Sequence, residues 1–185
     1  SKGAIPMARP QGIPGDLGSH RGSWGAQGGP KRDSRTPILG EKIYLFNEQV
    51  VNKEPQTESK FAWHQDSGYV GHDHKAYLSI WIALCDTNEN NGALRILPIN
   101  LEREAKIEEH VWSEQSSDLS MKVQEEKSIS CTIEEGGLVL FSSRTPHASF
   151  PNKSNKNRPA YLCQYSSEPI IPPPGSNKKF RAELI

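Results

Sequence analysis

Residues Ser128 to Lys153 read SISCTIEEGGLVLFSSRTPHASFPNK, and their texture decides the fold class. Short β-branched and aromatic runs at 128–133, 137–142 and 147–150 are separated by Glu134-Glu135-Gly136-Gly137, by the turn Ser142-Ser143-Arg144-Thr145-Pro146 and by Pro151-Asn152-Lys153. Those are strand and turn signals. The same texture extends outward over 42–51, 60–64, 76–84, 93–97 and 159–166, with Asn88-Glu89-Asn90-Asn91-Gly92 as a further breaker. Eight short strands point to a sandwich or barrel. One segment differs: after Asn100 as an N-cap, Leu101, Ala105, Ile107, Val111 and Trp112 fall on a helical face between charged residues, which predicts one amphipathic helix between the fourth and fifth strands. Short antiparallel strands with a single inserted helix suit a mainly β, double-sheet jelly roll of cupin-like type. An immunoglobulin-like sandwich shares the pattern.

Composition bounds the rest. A chain of 185 residues is the size of one domain. Apolar residues make up only 34% of it, and the deficit is concentrated at the start. Stretches such as Gln11-Gly12-Ile13-Pro14-Gly15 and Gly25-Ala26-Gln27-Gly28-Gly29-Pro30 cannot bury enough apolar surface to offset the entropy of ordering them. Residues 1–40 are therefore expected to be a disordered Gly/Pro-rich leader, and residues 41–185 the folded domain. Lys plus Arg and Asp plus Glu both count 22, which removes the electrostatic case for nucleic acid or an anionic membrane as a partner. No apolar run approaches the length of a membrane span. Cys85, Cys131 and Cys163 are odd in number and without C-x-x-C spacing, so the expectation is reduced thiols in an intracellular, cytoplasmic protein. Nothing in the composition supports or excludes an oligomer.

The chemistry begins at Trp63-His64-Gln65-Asp66, where a period of two places His64 and Asp66 on one face at a strand end. A single His-x-acid pair is close to what chance supplies in a chain of this composition. The third group is His147, which follows the strand Leu138-Val139-Leu140-Phe141 and a turn. Two His and one carboxylate are the facial triad of non-haem Fe(II) oxygenases, which leaves coordination positions open. A co-substrate needs its own anchor, and Arg158, opening the last long strand, could hold a carboxylate through two parallel hydrogen bonds.

With these residues in place, the chain resembles the phytanoyl-CoA dioxygenase family of Fe(II)- and 2-oxoglutarate-dependent oxygenases over about residues 41–168. The resemblance is carried by Phe61 to Asp66, Ser79-Ile80-Trp81-Ile82-Ala83-Leu84, Glu89 to Pro98, Pro146-His147-Ala148-Ser149 with Pro151-Asn152, and Arg158-Pro159-Ala160-Tyr161. It implies a double-stranded β-helix, with His64, Asp66 and His147 as catalytic iron ligands. It further implies Arg158 on the distal carboxylate of 2-oxoglutarate, Ser149 as a hydroxyl donor to it, Trp81 as an aromatic neighbour and Gln49 as a first-strand contact. The implied reaction takes Fe(II), 2-oxoglutarate and O2, releases succinate and CO2, and hydroxylates a small-molecule substrate. Asp66 as a coordinating residue disfavours halogenation.

Other features carry less. His72-Asp73-His74 lies in a loop and is read, with Tyr69, as lining a substrate entrance. His20 and His110 are read as solvent-facing, and Pro169 to Pro174 as an extended exit from the barrel or a cover for the pocket mouth. Two departures from the family stand out: Pro98 is followed by Ile99-Asn100-Leu101 rather than Gly-Ser-His, and only 63 residues precede His64. They leave open an alternative, a non-catalytic jelly-roll module for metal binding or assembly.

Overall fold

Polar and apolar residues alternate along the runs read above, and the chain folds them into antiparallel strands with almost no helix. The computed structural model describes residues 38–100, 106–114, 118–177, 180 and 182–185. The strands are β1 (Tyr44–Lys53), β2 (Phe61–His64), β3 (Leu78–Ala83), β4 (Leu94–Ile96), β5 (Val111–Ser113), β6 (Asp118–Ser120), β7 (Ile129–Ser130), β8 (Leu138–Ser142), β9 (His147–Ser149), β10 (Arg158–Ser166) and β11 (Glu183–Leu184). A five-stranded sheet has the order β11-β1-β10-β3-β8, a four-stranded sheet has the order β2-β9-β4-β7, and β5 and β6 pair separately. Along the chain β1, β3, β8 and β10 enter the larger sheet while β2, β4, β7 and β9 enter the smaller one. That interleaving is the double-stranded β-helix.

All eight expected strands are present to within a few residues. The inserted helix is not found among the described residues: 106–110 are irregular and Val111–Ser113 is a strand. Leu101 and Ala105 lie outside the described residues. The physical reason is competition for the backbone. The carbonyl of Lys106 and the N–H of Glu108 bond the Gln65 side chain, and Val111 and Trp112 are β-branched and aromatic residues that suit a ladder with β6. The leader assigned to residues 1–40 lies outside the described residues up to residue 37.

The period of two decides which side chains meet. Ser79, Trp81 and Ala83 on β3 are buried, opposite Gln164, Leu162 and Ala160 on β10. Trp81, Ala83, Phe141, Ala160 and Leu162 from the larger sheet pack with Leu94 from the smaller one as the core between the sheets. On β1 a bulge between Leu45 and Asn47 inserts Phe46 as an extra residue. Phe46 turns inward and packs with Val70, Tyr77 and Ile170. The Pro-rich segment therefore does not leave the barrel: Ile170 is buried, Phe180 packs against the same cluster, and β11 returns to pair with β1. Before β4, the Asn88 side chain accepts from the N–H groups of Asn90 and Asn91, and Gly92 closes the turn at φ 77°.

Candidate active site

β2 ends at His64, and Gln65 stays extended at φ −110° and ψ 135° before a short 3-10 turn begins at Asp66. The two-residue period therefore holds past the strand end, and His64 and Asp66 share a face. β9 begins with His147, whose register partner on β2 is His64, so the two imidazoles stand side by side with ring centroids 4.2 Å apart. Asp66 Oδ1 lies 3.6 Å from His147 Nε2 and 3.9 Å from His64 Nε2. One ligand atom from each of the three buried residues falls within 4.8 Å of the others.

The surroundings orient each group toward the space between the three. His64 Nδ1 lies 2.7 Å from the Ala62 carbonyl and His147 Nδ1 lies 2.9 Å from the Thr145 carbonyl. A carbonyl only accepts, so each Nδ1 carries the proton and each Nε2 presents its lone pair. Burial and the neighbouring His147 push His64 down to about 4, against the opposing pull of Asp66, which keeps this imidazole in its ligating, neutral form. Ser79 donates to Asp66 Oδ2 at 2.6 Å, Gln164 donates to Ser79 Oγ at 3.1 Å, and Asn47 donates to Gln164 Oε1 at 3.0 Å. This relay crosses β1, β10 and β3 to reach the carboxylate. Two imidazoles and a carboxylate on one side of a point fit a divalent transition metal of the facial-triad kind.

The three groups open on a cavity of about 590 Å³ that also reaches Arg158, Ser149, Trp81 and Gln49. Every site residue expected from sequence thus borders one space. Arg158 is only 1% exposed and its Nε and Nη1 have no hydrogen-bond partner among the described residues. Its guanidinium lies 5.4 Å from the Trp81 ring centroid, so Trp81 is at once a core aromatic and a wall beside the cation. A buried guanidinium without an anion is costly, and its position fits a carboxylate-bearing ligand. Gln49 borders the cavity from β1 but is exposed.

Tyr69 lines the cavity as expected, its ring edge-on to His64 at 5.5 Å. His74 has a different role: its Nε2 lies 3.0 Å from Ser67 Oγ, and Ser67 donates to Ser143 Oγ at 2.8 Å. His110 is not solvent-facing, because its Nε2 accepts the backbone N–H of Gln65 at 3.0 Å, between His64 of β2 and Asp66 of the turn. His20 lies outside the described residues. The sequence reading assigned no role to Ser79, Gln164, Asn47 or Gln65. Gln65 stands inside Phe61 to Asp66 and Ser79 inside Ser79 to Leu84, and that is the one signal the sequence holds for them.

Comparison with known proteins agrees with this arrangement. Residues 32–160 match the family model described as Phytanoyl-CoA dioxygenase (PhyH). The chain is 30% identical over 143 residues to a Stutzerimonas stutzeri protein named probable alpha-ketoglutarate-dependent hypophosphite dioxygenase, covering 73% of this chain and 49% of that protein. It is 28% identical over 130 residues to the 2-aminoethylphosphonate dioxygenase of the uncultured bacterium HF130_AEPn_1, covering 70% and 48%. Among solved structures, EvdO2 from Micromonospora carbonacea var. aurantiaca, complexed with 2-oxoglutarate, is 26% identical with a TM-score of 0.60, covering 66% of this chain and 51% of that one. The chain spans about half the length of the curated relatives it matches. The family model covers well over half of the chain and includes His64, Asp66 and His147, the three buried residues that could hold a metal ion, and the chain belongs to the phytanoyl-CoA dioxygenase family.

Proposed function

We propose that the chain carries the Fe(II)- and 2-oxoglutarate-binding site of a dioxygenase that hydroxylates a small-molecule substrate. The observation that carries this reading is Arg158, buried with two unpartnered nitrogens on the cavity that also holds His64, Asp66 and His147. His64, Asp66 and His147 would hold Fe(II). Arg158 and Ser149 would hold the distal carboxylate of 2-oxoglutarate, with Trp81 and Gln49 as neighbouring walls. When bound, these groups supply O2 activation: one oxygen atom goes to the substrate C–H bond and the other to succinate, with CO2 released. The chain's own part is to keep the His64 imidazole neutral, hold His147 by its Nδ1, aim Asp66 Oδ1, neutralise the distal carboxylate and shield the site with Phe46, Tyr69 and Phe141.

The relatives named above for hypophosphite and 2-aminoethylphosphonate support a small-molecule substrate. The balanced charge favours neither nucleic acid nor a membrane surface. No helix among the described residues is long and apolar enough to cross a membrane, and the cysteines are free thiols, which favours a reducing compartment. The exposed outer residues Val50, Leu138 and Leu140 of the larger sheet favour a second reading, an assembly module that keeps the site without turnover. Incubation of the purified chain with Fe(II), O2 and 2-oxoglutarate separates the two. Succinate formed in step with 2-oxoglutarate consumed, and abolished in His147→Ala, supports the oxygenase; metal binding with no succinate under a broad substrate panel supports the module.

A further inference from the structure

Two long cations are buried beside each other, one of them on the cavity wall. Lys53, the last residue of β1, is the register partner of Arg158, the first residue of β10, and the two are 2% and 1% exposed. Among the described residues no carboxylate forms an ion pair with either. The Lys53 ammonium donates to the Ser59 carbonyl at 2.9 Å and to the Ser149 carbonyl at 3.5 Å, and it lies 5.2 Å from the Phe61 ring centroid. Ser59, Phe61, Ser149 and Arg158 all form the cavity wall, so the ammonium stands immediately behind that wall. Two neighbouring buried cations without a counterion repel each other and lose hydration. Burial and Arg158 together bring the Lys53 amine down to about 8. An anion on the cavity side of Ser149 and Arg158 would relieve both costs.

We propose that Lys53 is a positioning residue of the carboxylate subsite, a second positive charge behind Ser149 and beside Arg158 that makes the site select a 2-oxo acid carrying a second, distal carboxylate. The inference rests on the reading of Arg158 as the carboxylate anchor. It assigns Lys53 two actions. Its hydrogen bond to the Ser149 backbone holds the Ser149 hydroxyl in place, and its charge acts through the wall on the ligand's far end. A lysine serving only to tie Ser59 to Ser149 would do the first without the second, and the two roles separate by ligand charge.

The test compares 2-oxoglutarate with 2-oxovalerate, which has the same chain length and no distal carboxylate, by anaerobic titration of the Fe(II)-loaded protein. In Lys53→Met, 2-oxoglutarate is expected to bind about tenfold more weakly or worse, the scale of one charge-assisted contact. The affinity for 2-oxovalerate should stay within about twofold, and Lys53→Arg should restore most of the loss for 2-oxoglutarate. Lys53→Gln, which keeps a donor for the two carbonyls, is the second neutral variant should the methionine fail to fold. Equal weakening of both acids, or of neither, would overturn the charge role. Wild-type protein that binds neither acid would overturn the reading of Arg158 on which it stands, whereas wild-type binding with an insensitive Lys53 overturns this inference alone.

Discussion

Ser79 Oγ donates to Asp66 Oδ2 at 2.6 Å, and this bond decides which oxygen of Asp66 faces the two histidines. With Oδ2 occupied, Oδ1 is left 3.6 Å from His147 Nε2 and 3.9 Å from His64 Nε2. Removing the donor in Ser79→Ala frees the carboxylate to rotate and leaves Gln164 without its acceptor. Fe(II) affinity is expected to fall by about 10–100-fold, the usual effect of losing a group that orients a metal ligand. Competitive chelator titration reads it; unchanged affinity would show that Asp66 is oriented by something else.

The relay behind Ser79 should behave as one unit. Asn47, Gln164 and Ser79 are joined in series, so Gln164→Leu alone is expected to weaken Fe(II) binding less than Ser79→Ala. The double variant should be no worse than Ser79→Ala, giving a coupling of about 0.5 kcal/mol or more. Simple additivity of the two losses would mean that Gln164 does not act through Ser79.

Gly68 sits where a methyl group would lie 2.9 Å from the His110 ring. Gly68→Ala should push His110 off the Gln65 N–H that it accepts at 3.0 Å. Hydrogen exchange at the Gln65 amide is expected to speed up, together with proteolysis within 106–113, while the strands stay protected. Unchanged exchange at Gln65 would show that His110 does not hold this loop.

Gly92 makes a separate prediction about stability. Its φ is +77°, and an added Cβ would lie 2.5 Å from the Phe150 carbonyl oxygen. Gly92→Ala is expected to cost more than about 1 kcal/mol, read as a lower denaturation midpoint. A neutral result would mean that the turn into β4 can relax.

For the metal-free protein, the depressed His64 predicts a pH dependence. The group goes from 6.5 when unfolded to about 4 when folded, mainly through burial. Between those values the unfolded chain takes up a proton that the folded chain refuses, so stability rises with pH across that window and is lost as pH falls through it. The contribution is complete above about 6.5. His64→Gln should show a shallower acid-side slope in melting temperature; identical slopes would contradict the assignment.

Local pattern made most of this fold legible. The eight expected strands stand out because turn-forming clusters such as Asn88 to Gly92, Glu134 to Gly137 and Pro151 to Lys153 separate them, and His64 with Asp66 because a two-residue period is visible in four letters. Arg158 was legible as a guanidinium at the start of the last long strand and Ser149 through the family resemblance, and their placement on one cavity follows from the β9 and β10 ladders. Ser79 was not legible as a partner of Asp66, since the two are 13 residues apart, and Gln164 is 85 residues from Ser79; only sheet register brings them together. The helix expected after Asn100 rested on apolar spacing alone. Gln65, more than 40 residues earlier, captures backbone groups of 106–108, and no local rule contains that competition. Lys53 reads as an ordinary surface lysine until β1 is paired with β10.

The central claim, one site for Fe(II) and 2-oxoglutarate formed by His64, Asp66, His147 and Arg158, is tested most directly without turnover. Anaerobic Fe(II) is titrated into the chain with and without 2-oxoglutarate while the visible metal-to-ligand charge-transfer band is followed, with Arg158→Ala as the control. The expected result is a band that requires 2-oxoglutarate and needs far higher 2-oxoglutarate concentrations in the variant. Iron binding with no band at any 2-oxoglutarate concentration, or a band indifferent to Arg158, would contradict it.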